Sequence, residues 1–453
     1  MLNIQTDSRK IKPGDTFVAV KCEINDGHKY VDAAIKAGAT KVVVERGSYD
    51  VETLVVDDTR KYINEYLSTN YKKEIDEMTL IAITGTNGKT TSAYLTYQML
   101  NKLGVKASYI GTIGFYMNGK VESIPNTSLD ICDTYDLLMK SYDKGYKTVI
   151  LEASSIALAG DRLSILKFDY AVFTNLTQDH LDYHKTMENY ALAKQILFKD
   201  RLKESGKAVI NVDDKWSNYF LLDNNTNITF GKNGHYSYDN YVSNLDGLSF
   251  DLKIDNKTYP IKSKLMGEYN VYNLLTMISI VNDMFEIEDI IKYIPELNAP
   301  SGRIETIDYK TNKIVIDYAH TPDAIEKILN AVNTTGKKYV VFGCTGDRDR
   351  TKRPIMGKLV SELSDYFIIT DDDPHNEDEM QIVNDIIKNK DFSNYSICLD
   401  RKEAIKKGIE LLDDKDVLFI LGKGHEEFII KGNERIPHND KEEVLKIINE
   451  KLL

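Results

Sequence analysis

The stretch IAITGTNGKTTSAYLTYQML, residues 81–100, joins an apolar run to a pattern of helical spacing through a glycine-containing turn. The run TLIAIT predicts a buried strand, and TTSAYLTYQML predicts a helix. Lys89 lies at the turn between them, where main-chain N–H groups and an ammonium can hold phosphate oxygens and Thr90 can ligate Mg²⁺. A tight turn without a ligand needs glycine but no Lys–Thr pair. We therefore predict a nucleotide site of the phosphate-loop type, although Ile83 stands where the usual pattern has its leading glycine.

The organisation of the 453 residues predicts an α/β protein of three domains, because one hydrophobic core does not fill a chain of this length. Residues 1–77 form a small α/β unit that ends in a charged helix around residues 60–78. Residues 78–298 alternate strands with helices, which indicates a mostly parallel sheet, and carry an antiparallel appendage at residues 236–265. Residues 299–453 predict a third, Rossmann-like α/β unit.

Composition excludes several classes of protein. The formal net charge of −12 argues against a nucleic-acid surface, which is normally basic. No apolar run approaches the roughly 20 residues that cross a bilayer, and the start of the chain lacks the apolar core of a signal peptide. Four widely separated cysteines, Cys22, Cys132, Cys344 and Cys398, form no CxxC pair. We expect a cytoplasmic, reduced protein without membrane insertion.

Two motifs of the middle part follow predicted strands. In VILEASS, Glu152 ends a strand, where a carboxylate can complete a Mg²⁺ shell near phosphates; the alternative is a helix cap formed by the serines. FTNLTQDHLDYH places two of only eight histidines within five residues. It predicts a cation or phosphate site, and a solvated, well-capped loop is the alternative. The polar residues of this second motif are Asn175, Asp179, His180, Asp182 and His184.

The C-terminal part also carries its polar motifs at strand ends. IDYAHTPDA places Asp317 and His320 at the rim where parallel sheets bind ligands. GCTGDRDRTKRP supplies a basic loop, which is either solvated or an anion clamp. Its cations are Arg348, Arg350, Lys352 and Arg353. Together with the acidic TDDDPHNED, these loops suggest a zwitterionic ligand.

Taken in order, the motifs of nearly the whole chain resemble the ATP-dependent Mur ligases of peptidoglycan synthesis, and most closely the MurE type. The resemblance is carried by DSRKIKPGDTFVA, DGHKY, TGTNGKTT, EASSIALAGDRL, FTNLTQDHLDYHKTMENYALAK, GEYNVYNLL, SGRIE, DYAHTPDA, GDRDRTKRP, DDP and GKGHEE. So many ordered motifs make chance similarity very improbable.

The resemblance implies a domain for a uridine nucleotide, a central ATPase and a C-terminal domain for the amino acid. It also implies a reaction of cell-wall precursor synthesis: ATP converts the D-glutamyl side-chain carboxylate of UDP-MurNAc-L-Ala-D-Glu into an acyl phosphate, which the amine of an incoming diamino acid attacks. ATP and Mg²⁺ are the implied cofactors, and we expect a monomer.

Roles are implied residue by residue. Catalysis falls to Lys89, Glu152, His180 and Lys194. ATP would contact Thr86, Asn87, Gly88, Lys89, Thr90, Thr91, Asn273, Arg303 and Asp317. The uridine-nucleotide substrate would contact Ser8, Asn126, Thr127, Ser128, Ser154 and Arg162. The incoming amino acid would contact Arg348, Asp372, Asp373, His375, Gly422 and Glu426. Metal would be held by Thr90, Glu152, His180 and Lys194, the last if carbamylated.

Three departures from the family pattern bear on the substrate. NTSLD replaces NTTP at residues 126–130, and Ile156 replaces a common histidine. In DDPHN, Asp373 and His375 replace the asparagine and arginine of DNPR, whose arginine holds the distal carboxylate of diaminopimelate. Because lysine lacks that carboxylate and an acidic pocket favours its ammonium, we favour L-lysine over meso-diaminopimelate.

Rival functions are a related ligase of the same fold and a non-catalytic paralogue that binds a cell-wall nucleotide. The N-terminal DSRKIKPGDTFVA argues against a folylpolyglutamate synthase, and the lack of an ATP-grasp domain argues against a cyanophycin synthetase. Ile156 and NTSLD motivate the paralogue, whereas Lys89, Glu152 and Lys194 speak for an enzyme.

Overall fold

The computed structural model describes residues 2–21, 26–223, 227–244, 247–332, 334–388 and 393–452. Contacts divide the chain into two units. Unit 1 comprises Met1–Ala82, Gly104–Ala171 and Ile196–Lys207, and unit 2 comprises Ile83–Leu103, Val172–Gln195 and Ala208–Leu453. The domain boundaries expected after residues 77 and 298 stay predictions. No helix of the described residues is long and apolar enough to cross a membrane.

The N-terminal part of unit 1 is a small parallel sheet with the strand order β1-β2-β3-β4. Phe17 and Val42 pack against Val31 and Ala34 of the first helix in an apolar core. The charged helix expected around residues 60–78 is interrupted at Tyr71 and forms two helices. The elements are β1 (Ile4–Gln5), β2 (Thr16–Val18), α1 (Val31–Lys36), β3 (Lys41–Val44), β4 (Glu52–Val55), α2 (Thr59–Asn70) and α3 (Lys72–Asp76).

The middle part contains the strands that the sequence predicts. Its elements are β5 (Thr79–Thr84), α4 (Lys89–Lys102), β6 (Ala107–Gly111), β7 (Gly114–Tyr116), β8 (Lys120–Glu122), α5 (Ile131–Asp143), β9 (Thr148–Glu152), α6 (Ser155–Ala159), β10 (Phe168–Phe173), α7 (Leu181–His184), α8 (Met187–Lys199) and β11 (Leu202–Asn211). In unit 1 the strand order is β10-β5-β9-β6-β7-β8. β6 and β9 are parallel, whereas β7 and β8 extend the sheet in antiparallel fashion.

Unit 2 continues with β12 (Asn227–Phe230), which pairs with the end of β11 in parallel. The predicted antiparallel appendage is confirmed as β13 (Ser237–Asn244), β14 (Gly247–Ile254) and β15 (Lys257–Ser263), which pair in sequence. Two helices, α9 (Glu268–Val281) and α10 (Ile287–Tyr293), follow it. α9 is buried along most of its length, as its run of Val, Leu and Ile requires.

The C-terminal part of unit 2 is a six-stranded sheet with the order β16-β17-β21-β18-β19-β20, parallel except for the edge strand β16. Its elements are β16 (Glu305–Tyr309), β17 (Asn312–Asp317), α11 (Pro322–Ala331), β18 (Lys338–Phe342), α12 (Arg353–Leu363), β19 (Tyr366–Ile369), α13 (Glu379–Ile387), β20 (Tyr395–Ile397), α14 (Arg401–Glu410), β21 (Val417–Leu421), β22 (Phe428–Lys431), β23 (Glu434–Pro437) and α15 (Asp440–Leu452). β22 and β23 form a separate hairpin.

Both faces of this sheet are covered by helices. Val340 and Phe342 pack with apolar residues of α11, α12 and α13 on one face. Tyr339 and Val341 pack with α14 and α15 on the other. Side chains alternate between the faces of a strand, so strands buried on both sides read as continuous apolar runs. The carboxyl ends of β17, β18, β19 and β21 therefore lie at one edge, where the predicted Rossmann-like domain has its polar loops.

Candidate active site

The phosphate-loop segment connects β5 to α4 in unit 2. Ile83 lies within β5 and is fully buried, so the loop begins at Gly85, two residues later than the usual pattern places its first glycine. Gly88 precedes α4 with a φ of 85°, and a Cβ there would lie 2.6 Å from Asn273 Oδ1. Both features require glycine at position 88. The missing glycine at position 83 therefore reflects a shorter loop on the same strand-to-helix frame.

A polar segment after β10 fixes the main chain of this loop. Asn175 Oδ1 accepts a hydrogen bond from the Asn87 main-chain nitrogen at 2.9 Å, and Asn175 Nδ2 donates to the Asn87 carbonyl at 2.9 Å. Thr174 Oγ1 donates to the same carbonyl at 2.7 Å. These bonds hold the loop in one conformation before any ligand arrives. Asn175 was singled out from the sequence only as part of a polar motif, without this role.

Two lysines converge on one carbonyl group of the loop. Lys89 Nζ donates to the carbonyl oxygens of Gly85 and Thr86 at 2.9 and 2.8 Å, and Lys194 Nζ donates to that of Gly85 at 2.8 Å. Lys194 is 1% exposed, and its ammonium lies over the ring of Tyr190. Burial, together with the charge of Lys89, lowers the pKa of Lys194 well below its ordinary value. Lys194 is thus readily deprotonated to the neutral amine, the form that can add CO₂, and this fits the expected carbamate.

His180 lies at the start of α7, next to Asp179, which pairs with two nitrogen-containing side chains. Its Nε2 lies 3.5 Å from Asp179 Oδ2, and the Lys352 ammonium lies 3.6 Å from Asp179 Oδ1. Burial lowers the pKa of His180, and Asp179 opposes that shift. The imidazole therefore favours its neutral form, which is the form that ligates metals. Lys352, from the basic loop of the sequence, is buried beside Asp179 rather than solvated.

A cavity of about 690 Å³ lies next to the phosphate loop within unit 2. Six of the expected ATP contacts line it: Asn87, Gly88, Thr91, Asn273, Arg303 and Asp317. Its wall also contains three tyrosines that the sequence did not single out: Tyr241, Tyr269 and Tyr272. The residues of the wall are mostly polar, and aromatic rings within it can pack against a planar ligand such as a nucleobase.

Thr86, Lys89 and Thr90 lie outside the lining of that cavity but belong to the same loop and helix start. Thr86 Oγ1 accepts a hydrogen bond from the Thr177 main-chain nitrogen at 3.0 Å and lies 3.2 Å from the Tyr190 hydroxyl. Thr90 is buried in the first turn of α4. The loop, the cavity and the lysine pair thus form one site in unit 2.

Glu152 lies at the end of β9 in unit 1 and is 2% exposed. The Tyr109 hydroxyl donates to its Oε1, as does the Thr112 main-chain nitrogen at 2.9 Å. The Thr112 hydroxyl donates to Oε2 at 3.0 Å. Such donors fix the orientation of a carboxylate, as the hydrogen-bond partners of metal ligands commonly do. The arrangement is compatible with a Mg²⁺ ligand, and that role of Glu152 stays a prediction.

The cap of α6 is in fact made by Ser154, whose Oγ accepts a hydrogen bond from the Ala157 nitrogen at 3.3 Å. Ser128 is buried beside it, and its hydroxyl donates to the Glu152 carbonyl at 2.8 Å. Thr127 Oγ1 lies 3.0 Å from that of Thr112, and Arg162 Nη1 donates to the Ser128 carbonyl at 3.4 Å. Thr127, Ser128, Ser154 and Arg162 are therefore brought together in unit 1.

Two further residues expected at the uridine nucleotide are also in unit 1. Asn126 is exposed, one residue before Thr127. Ser8 is half-buried in a short 3₁₀ turn that Asp7 caps. Nearby, Lys10 forms an ion pair with Asp133 at 2.6 Å. Binding of a nucleotide by these residues remains a prediction.

Three carboxylates surround a buried lysine at the carboxyl edge of the C-terminal sheet. Lys423 Nζ lies 2.6 Å from Glu426 Oε2, 2.7 Å from Asp373 Oδ1 and 3.9 Å from Asp372 Oδ1. Oxygens of the three acids lie within 4.8 Å of one another. Burial raises the pKa of Glu426 to about 7, against the lowering effect of Lys423. One cation among three acids leaves a negative cluster that attracts an ammonium group.

The remaining residues expected at the amino acid frame this cluster. Gly422 has a φ of 110°, and a Cβ there would lie 2.4 Å from Asp372 Oδ2. Arg348 is exposed on the loop after β18. His375 has a φ of 50°, and its main chain bonds to the β22–β23 hairpin through the Ile430 carbonyl and the Gly432 nitrogen. Asp373 also holds that hairpin, since its Oδ1 accepts a hydrogen bond from the Ile430 nitrogen at 2.8 Å.

Several functional candidates were missed by the sequence. Lys423 lies in GKGHEE, but nothing in that spacing shows that its ammonium meets Asp373. Tyr190 and Asp323 were likewise passed over, because an isolated tyrosine or helix-start aspartate is usually structural. Two positions in the sequence could have identified them. Tyr190 lies one helical turn before Lys194, and Asp323 directly follows the Thr-Pro at the start of α11.

Family models match three successive segments of the chain. Residues 2–78 match the catalytic domain of the Mur ligase family, residues 83–281 the Mur ligase middle domain, and residues 302–424 the Mur ligase glutamate ligase domain. The three matches follow the order of the motifs along the sequence.

Individual proteins are similar over nearly the full length. UDP-N-acetylmuramoyl-L-alanyl-D-glutamate–2,6-diaminopimelate ligase of Fusobacterium nucleatum is 39% identical, with 97% of this chain and 92% of that protein covered. The enzyme of the same name, numbered 1, from Clostridium acetobutylicum is 38% identical, with 99% and 95% covered.

Solved structures are similar as well. The structure of a UDP-N-acetylmuramoyl-L-alanyl-D-glutamate–2,6-diaminopimelate ligase has a TM-score of 0.68 at 31% identity, covering 99% of this chain and 95% of that one. The MurF ligase of Thermotoga maritima, solved in complex with ADP, has a TM-score of 0.70 at 20% identity and covers 100% and 98%. The latter likeness concerns the fold alone.

Proposed function

The chain belongs to the Mur ligase family of ATP-dependent acid–amino-acid ligases, and we propose that it adds a diamino acid to UDP-MurNAc-L-Ala-D-Glu. ATP and Mg²⁺ are its cofactors. The reaction proceeds through an acyl phosphate on the D-glutamyl side chain and releases ADP and phosphate. Its product is a precursor of the peptidoglycan cell wall.

One observation supports this function above the others: a nucleotide-sized cavity and an ammonium-attracting cluster meet at the end of β17. Asp317 lines the cavity. The next residue, Tyr318, donates its hydroxyl hydrogen bond to Glu426 Oε1 at 3.2 Å. A strand end that borders both sites suits a ligase, which must bring a phosphorylated acid and an amine together.

The residues of the phosphate loop bind and orient the ATP phosphates. Lys89 would exchange its bonds to Gly85 and Thr86 for phosphate oxygens, because an ammonium binds an anion more strongly than a neutral carbonyl. Bound Mg²⁺ supplies neutralisation of the charge that builds on the transferred phosphoryl group. Thr90, His180 and carbamylated Lys194 are the residues of unit 2 that we propose hold it, and Glu152 stays a predicted metal ligand.

The amino acid would be held by its two charged ends. Arg348, exposed and cationic, suits the α-carboxylate. Asp372 and Glu426 suit the distal ammonium, since both belong to the negative cluster around Lys423. This arrangement leaves the α-amine for attack on the acyl phosphate.

L-lysine is the amino acid that the cluster favours. Asp373 and His375 stand where an asparagine and an arginine are expected for a substrate with a distal carboxylate. A second carboxylate beside Asp372 and Glu426 would meet repulsion without a guanidinium to offset it. meso-Diaminopimelate is the second candidate, because the relatives at 38 and 39% identity carry 2,6-diaminopimelate in their names.

The test is a panel of amino acids offered with UDP-MurNAc-L-Ala-D-Glu, ATP and Mg²⁺, with phosphate release as the readout. Turnover with L-lysine and little with meso-diaminopimelate is the expected result. The reverse preference would assign diaminopimelate instead. If no amino acid of the panel supports phosphate release, the paralogue that only binds a cell-wall nucleotide would be favoured. Lys89→Met should then leave nucleotide-dipeptide binding unchanged.

We also propose that the enzyme acts as a monomer in the cytoplasm, where ATP and UDP-linked precursors are available. Sedimentation of the purified chain checks the first point. Carbamylation of Lys194 is checked by activity after exhaustive removal of CO₂, which should fall and recover on addition of bicarbonate.

A further inference from the structure

The polar cluster of the amino-acid pocket rests on a second, deeper ion pair that lies in the interior of the C-terminal sheet. Arg401 begins α14 and Asp440 begins α15, and the side chains of both are 0% exposed. Arg401 Nε and Nη2 donate to the two oxygens of Asp440, each at 2.8 Å. This is a two-point pairing of a planar guanidinium with a carboxylate.

The same guanidinium reaches the main chain at two strand ends. Arg401 Nη1 donates to the carbonyl oxygen of Asp371 at 3.1 Å, and Nη2 donates to that of Leu421 at 3.0 Å. Asp371 immediately precedes Asp372, and Leu421 immediately precedes Gly422. The ends of β19 and β21 are therefore tied together through one side chain.

The residue beside Asp440 reaches the third segment of the pocket. Asn439 Nδ2 donates to the carbonyl oxygen of Glu426 at 3.3 Å, and the main-chain nitrogen of His438 donates to that of Glu427 at 3.0 Å. For Asp372, Gly422 and Glu426, Arg401 or Asn439 thus bonds the carbonyl of the residue itself or of the residue before it.

The geometry points to Arg401, fixed by Asp440 and assisted by Asn439, as a positioning residue that sets the spacing of Asp372, Gly422 and Glu426. This role rests on the proposed function, since it concerns the pocket for the incoming amino acid. The Arg401 side chain is fully buried, so we place it behind the pocket and out of contact with the substrate. Its planar fork bonds one carboxylate and two carbonyls at once, which a lysine ammonium in its place does not reproduce.

The experiment uses the full chain and compares Arg401→Lys with His438→Gln. The imidazole of His438 contacts Asp440 Oδ1 at 2.7 Å, and among the described residues its other ring nitrogen has no hydrogen-bond partner, so His438→Gln is a matched control for loss of stability. For Arg401→Lys we expect the KM of the amino acid to rise about tenfold, with the KM of ATP and of the nucleotide-dipeptide within about twofold of wild type. His438→Gln should lower the melting temperature and leave all three KM values within about twofold.

Equal rises of all three KM values in Arg401→Lys, or an unchanged KM for the amino acid, would overturn the positioning role. If Arg401→Lys does not fold, Asn439→Ala carries the test, with an expected rise of about threefold in the amino-acid KM alone. Wild-type turnover is measured first. Its absence with every diamino acid overturns the proposed function, whereas normal turnover with no selective effect in the variants overturns only the role of Arg401.

Discussion

The side-chain amide nitrogen of Asn87 lies 2.8 Å from Asp323 Oδ2, which joins the phosphate loop to the first turn of α11. Asp323 also pairs with Lys327 one helical turn later, at 2.9 Å. Because both Asn87 and Asp323 line the cavity, this bond fixes the loop at the place where a nucleotide would enter. It connects the ATP site directly to the helix that follows Asp317.

We therefore expect Asp323→Ala to raise the KM of ATP about fivefold, which corresponds to the loss of one hydrogen bond of about 1 kcal/mol. Asp323→Asn is the control, because its side-chain oxygen can still accept the hydrogen bond from Asn87. Steady-state kinetics with varied ATP check both variants. A double variant with Asn87→Ala should be no worse than the more affected single variant; fully additive effects would show that the two residues do not act as a pair.

The Tyr109 hydroxyl donates a hydrogen bond to Glu152, so Tyr109→Phe should lower the affinity for Mg²⁺ without removing a metal ligand. Loss of such an outer partner typically costs about tenfold or more in metal affinity. The measurement is the Mg²⁺ concentration that gives half-maximal turnover. Tyr116→Phe is the control, because its ring packs edge-on against Tyr109. A similar shift in both variants would assign the effect to packing.

The frame of the fold could be predicted from the sequence because its signals are local. Each signal lies within a short stretch: an apolar run, a glycine at position 88 and a helical spacing. The strand β5, the turn and the helix α4 that they indicate were correctly predicted. The break at Tyr71 was not, since the spacing of residues 60–78 is helical throughout. A helix end is decided there by packing of the chain, which local spacing does not encode.

The pairings within the candidate site could not be predicted, because they join residues far apart in sequence. Asp373 and Lys423 are 50 positions apart, and the bond between them changes the role expected for an acidic residue at position 373. From the sequence, Asp373 was expected to make the pocket acidic. In the structure it is partly neutralised by Lys423 and holds the β22–β23 hairpin as well. Lys423 pairs with Glu426 as well, at 2.6 Å, and lies farther from Asp372, at 3.9 Å, so the three acids share the charge of one lysine.

Glu426 predicts a pH dependence for binding of the amino acid. Burial raises the pKa of its carboxyl to about 7, so the group is mainly neutral at pH 6 and mainly charged at pH 8. An ammonium ligand binds the charged form, and the KM of the amino acid should therefore fall as pH rises from 6 to 8. The charges of Lys423, Asp372 and Asp373 also act on the Glu426 carboxyl. Glu426→Gln leaves these three residues in place and removes only the titrating group.

The comparison of wild type with Glu426→Gln separates this effect from ionisation of the substrate amine, which is common to both. The variant should show a higher KM for the amino acid and a weaker pH dependence. A pH profile that is identical in the two proteins would assign the titration to another group.

Position 375 offers a direct change of amino-acid preference. The main chain of His375 is held by two hydrogen bonds to the β22–β23 hairpin, and its φ of 50° is already accepted by a non-glycine residue. An arginine can therefore take this place with little change of the loop, and its guanidinium can pair with a distal carboxylate at two points. His375→Arg should shift the ratio of kcat/KM for meso-diaminopimelate over L-lysine at least about tenfold toward diaminopimelate. His375→Gln, which adds no charge, should leave the ratio within about twofold. If the folded arginine variant kept the wild-type ratio, the distal end of the amino acid would have to lie away from residue 375, and selection would then rest with Asp372 and Glu426.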